Sequence, residues 1–121
     1  MRAVTLVLVV FVAWVSLAFA SPLTKPSLKL APNPVKAGHT VAIKGSADGC
    51  GVGDTVTIIS RAFSAKHTFA GVPAVLTTVR AGGSFHTSTT IPSGKRAGVY
   101  TVTGRCGGGN LGVLVHLHVM R

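Results

Sequence analysis

Few residues in this chain have types and spacing suited to chemistry. His116 and His118 stand two apart in "LVHLHV", so on a strand both imidazoles fall on one face. With a third ligand from His39, His67 or His86 they could begin a copper or zinc site. Leu114 shares their face, and no carboxylate stands near them in sequence to orient a ring. Two half-exposed histidines on the outside of a last strand are therefore the plainer reading. Acid–base catalysis has less to draw on. The two acids, Asp48 and Asp54, flank "GCGVG", where aspartate is favoured simply as a turn former. There is no Glu, and no serine lies in a G-x-S-x-G elbow. The chain is not expected to be an enzyme and calls for no cofactor.

Cys50 and Cys106 are an even pair outside any C-x-x-C. A disulfide is the expected state if the chain is exported, and the first twenty residues argue that it is. Arg2 is followed by an almost wholly apolar run from Ala3, and Ala18-Phe19-Ala20 supplies small residues at the −3 and −1 positions of a cleavage site. This reads as a signal peptide over residues 1–20, with one domain over residues 21–121. An uncleaved anchor is the competing reading, since about 18 apolar residues can just span a bilayer.

Without Arg2 the chain keeps 11 Lys and Arg against two Asp. Such a balance favours anionic partners, cell-envelope polymers in particular, or another extracellular protein with an acidic surface. The cations are spread singly, and Lys95-Arg96 is the one adjacent pair after the leader. A dedicated polyanion site usually concentrates its charge, so no specific nucleic-acid site is expected. The best local candidate for a contact surface is "RAFSAKHTF", where Phe63 and Phe69 are interleaved with Arg61, Lys66 and His67. The alternative is that both rings close the open end of a core. Lys95 and Arg96, in a Pro-Ser-Gly turn, complete the candidate surface.

The elements that must position these residues are strands. "HTVAIKGSA", "TVTIISRAF", "AVLTTVR", "SFHTSTTI", "GVYTVTGRC" and "LGVLVHLHV" each alternate apolar and polar residues, separated by Gly, Pro, Asn and Asp clusters. Leu28 and Leu30 suit a short edge strand before Pro32-Asn33-Pro34. "SAKHTFAGVPA" is the least regular part, a loop with a short strand. Val, Ile and Thr dominate the strands, and no helical period follows the leader. About seven strands at this spacing predict an all-β, Greek-key sandwich.

The stretches "LAPNPVKAGHTVAIKGSADGCGVGDTVTI" and "GSFHTSTTIPSGKRAGVYTVTGRC" resemble the immunoglobulin-like β-sandwich domains of exported actinobacterial proteins. The shared pattern is a Pro-rich start, a G-x-x-V-x-V-x-G strand, a Gly-Ser-Phe strand, an I-P-x-G turn and an A-G-x-Y-x-V strand ending in Cys. The resemblance runs from about Leu28 to Val119 and implies an extracellular, non-enzymatic interaction module. The strong basicity and Arg80, where such domains usually carry Asp, depart from the pattern. The apo-carriers of enediyne antibiotics are similar in outline, which would imply a cleft for a small apolar ligand. They carry two disulfides and an aromatic-lined cleft, against one cysteine pair and few aromatics here.

Overall fold

A computed structural model of the chain describes residues 25–47 and 49–121. The signal peptide expected over residues 1–20 and Asp48 lie outside the described residues. The strands are β1 (Ser27–Ala31), β2 (Val35–Lys36), β3 (Thr40–Ser46), β4 (Thr55–Ile59), β5 (His67–Phe69), β6 (Val72–Thr78), β7 (Ser84–Thr90), β8 (Gly98–Cys106) and β9 (Gly109–Met120). A single 3-10 turn, Ala81–Gly83, leads into β7. Among the described residues no helix is long and apolar enough to cross a membrane.

Alternation decides which face of each strand is buried. In β9, Leu111, Val113, Val115, Leu117 and Val119 point inward, while Leu114, His116, His118 and Met120 are exposed. In β3 and β4 the inward residues are Val41, Ile43, Val56 and Ile58, all fully buried. The strands form two sheets, ordered β1-β3-β7 and β2-β9-β8-β4-β6-β5. Neighbours pair antiparallel except β2, which runs parallel to β9.

The inner faces of the two sheets share one core. Leu30, Ile43 and Phe85 from the small sheet meet Ile58, Val102 and Leu117 from the large one. Each such side chain contributes roughly 1.5–3 kcal/mol by leaving water. This is an all-β sandwich. Its smaller sheet closes on Gly45, which lies between Leu28 and Phe85 in register. A Cβ there would collide with the Ser27 carbonyl oxygen and the Phe85 ring, so only glycine lets the ring lie across β3.

Among the described residues nine strands form where about seven were expected; β5 is the short strand expected in the irregular loop, and β2 was not anticipated. The two-residue β2 has no alternation to read. Its neighbour Asn33 donates from Nδ2 to the His116 carbonyl oxygen at 2.8 Å and accepts the His118 N–H at 2.9 Å. The short β5 forms a hairpin with β6 through Ala70-Gly71, both at positive φ. Cys50, in the β3–β4 turn, is bonded to Cys106 at the end of β8, 56 residues away.

Candidate functional site

The expected basic-aromatic loop is divided by the fold. β4 ends at Ile59, and Ser60 starts a tight turn: its carbonyl accepts the Phe63 N–H and its Oγ accepts the Ala62 N–H. Ala62 keeps the inward phase of Val56 and Ile58, and the turn breaks the alternation by bringing Phe63 into the core as well, where it is 1% exposed. Phe63 is therefore no contact residue; it closes the end of the sandwich. Phe69 stays 38% exposed but lies on the Arg105 guanidinium, 4.8 Å from ring centroid to Cζ. That cation–π contact makes it a partner of Arg105 rather than a free platform.

The cations of the loop go to two places. Arg61 meets Lys95 and Arg96 around an open cleft of about 620 Å³ floored by Pro73, Pro92 and Tyr100. Lys95 Nζ donates to the Arg61 carbonyl oxygen at 2.8 Å, and the Tyr100 hydroxyl donates to the Arg96 carbonyl oxygen at 2.7 Å. The Tyr100 bond braces the turn that carries Lys95 and Arg96. Lys66 and His67 instead line a second open cleft, of about 630 Å³, with Leu76 and Thr87–Thr90.

His116 and His118 are exposed on the outer face of β9, opposite Thr101 and Val99 of β8. Among the described residues no group of three His, Cys, Asp or Glu could hold a metal ion. Asn33 engages the backbone of both histidines, so this edge has a structural use independent of their rings. Of the two acids, Asp54 accepts the Gly51 N–H at 2.9 Å, which is turn chemistry.

Register brings together one set that linear reading missed. On the outer face of the small sheet, Lys29 of β1 is directly opposite Lys44 of β3, and Lys44 is directly opposite His86 of β7. All three are exposed. The signal was present, because each sits at a polar position of an alternating stretch, but only strand pairing makes them neighbours.

Set against known proteins, the chain matches no family model and no curated protein.

Proposed function

We propose that this protein is an exported, non-enzymatic, immunoglobulin-like Greek-key module that binds an anionic envelope or extracellular partner through its basic surface. The observation that carries the reading is charge left without internal compensation. Eleven Lys and Arg follow the leader against two Asp, and Asp54 is committed to a backbone N–H. Such a surface draws polyanions by long-range attraction. The immunoglobulin-like assignment is supported by the first strands, with β1 on one sheet and β2 on the other, and by a disulfide reaching the strand that pairs with β4. Export is supported by that disulfide.

The test is retention on dextran sulfate against neutral dextran across ionic strength. The protein should bind the sulfated polymer at low salt and weaken steadily as screening shortens the reach of its charges. Equal behaviour on the two polymers would remove the reading.

A further inference from the structure

We infer that the outer face of the small sheet is the binding face, and that it takes a linear anionic glycan laid across β1, β3 and β7. The inference rests on the proposed anionic partner and specifies where and what it binds. Lys29, Lys44 and His86 form a row perpendicular to the strands, and adjacent strands place the three residues within about 10 Å. Like charges directly opposite one another oppose strand pairing, and none of the three strands carries an acid. Lysine on an edge strand can guard against aggregation, which would account for Lys29. It does not account for Lys44, because β3 is the central strand of its sheet.

The surroundings identify the ligand class. The neighbouring row is Ser27, Ser46 and Ser84, and on the other side lie Ala31, Ala42 and Ser88, then Thr40 and Thr90. Small residues, most of them hydroxylated, thus floor the face, with the long lysine side chains standing above it. Beside Lys44 and His86 lies a shallow hollow of about 340 Å³. No aromatic side chain is directed outward from these strands, since Phe85 is buried, so the base stacking that single-stranded nucleic acid uses is absent. A largely hydroxylated floor under two paired lysines, with His86 in line beside them, suits a hydroxyl-rich chain bearing anionic groups. The Arg61–Lys95–Arg96 cleft is the weaker candidate, because Lys95 is half-buried and tied to the Arg61 carbonyl oxygen. Among the described residues no hydrogen bond engages the side chains of Lys29, Lys44 or His86.

Two full-length variants that remove equal charge decide the matter: Lys29→Gln with Lys44→Gln, and Arg61→Gln with Arg96→Gln. Dextran sulfate is the probe, with single-stranded DNA and anionic phospholipid vesicles alongside. A lysine at an anionic surface is worth about fivefold in binding, so the sheet-face pair should lose roughly 25-fold on dextran sulfate. The arginine pair should lose under about threefold, with a salt dependence close to wild type. The sheet-face pair should also melt no lower than wild type, because it relieves a like-charge opposition; this separates lost binding from lost folding. Equal losses in the two variants would mean diffuse attraction and overturn the assigned face, as would a loss confined to the arginine pair. Tighter binding of DNA or vesicles than of dextran sulfate would overturn the ligand class. Failure of wild type to bind any of the three probes would overturn the anionic-partner reading itself.

Discussion

Asn33 sits between two prolines that have no N–H to give a neighbouring strand. Its side-chain amide substitutes for the missing backbone groups, donating to the His116 carbonyl oxygen and accepting from the His118 N–H. The parallel pairing of Val35 with Val119 begins two residues later, so Asn33 starts the ladder that β2 continues. Asn33→Ala removes both bonds and should lower stability by about 1–2 kcal/mol, at a typical net value near 1 kcal/mol per hydrogen bond. Urea unfolding monitored by far-UV circular dichroism would read this as a lower midpoint with an unchanged slope. An unchanged midpoint would mean that the two bonds only mark, and do not hold, the closure of that edge. Asn33 was unreadable beforehand because a Pro-Asn-Pro run indicates a turn and says nothing of what its amide can reach. Phe63 misled for a related reason: the strand was expected to run through "TVTIISRAF" with its odd-numbered residues outward, but it ends at Ile59 and the Ser60 turn brings Phe63 inward.

Among the elements, the β5–β6 hairpin is the one built least favourably. Phe69 pairs with Val72, leaving Ala70 and Gly71 as a two-residue loop with φ of 49° and 80°. Two consecutive positive φ values are those of the turn that suits the strand twist. Glycine adopts this conformation freely, whereas an L-residue with a Cβ is strained there by roughly 1–2 kcal/mol. Asparagine tolerates it better, so Ala70→Asn should stabilise the protein by about 0.5–1 kcal/mol. Differential scanning calorimetry should show a higher melting temperature, and a decrease would refute this account of the turn. The same hairpin marks how far the sequence could be read. β3, β4, β7, β8 and β9 were legible because each has one buried face, and burial imposes a period of two. All three residues of β5 are exposed, so no such period exists, and Ala-Gly lacks the Asn-Gly signature of its turn. Register was hidden everywhere, since it depends on pairing across sequence. The Lys29–Lys44–His86 row was therefore invisible while its three members were in plain view.

At the scale of the whole molecule, a modest core must hold together a chain that carries 11 Lys and Arg against two Asp over residues 21–121. Self-repulsion opposes the compact state, and the Cys50–Cys106 bond counters it by restricting the unfolded chain. The bond spans 56 residues, and closing a loop of that length is worth about 4 kcal/mol in the chain-entropy model. Domains of this size are commonly stable by about 5–15 kcal/mol, so the bond is a large share of the total. Both cysteines also pack against the common core, Cys106 buried and Cys50 at its margin. The Cys50→Ala with Cys106→Ala variant should accordingly lose about 3–4 kcal/mol, somewhat less than the entropic figure if its denatured state retains structure. The loss should be most damaging at low ionic strength, where repulsion among the cations is least screened, and part of the stability should return as salt is added. Urea titrations of both proteins at two salt concentrations measure both effects. A loss under about 1 kcal/mol would show that loop closure contributes little here. A variant whose stability does not rise with salt would show that repulsion among the cations is not an appreciable cost to the folded chain.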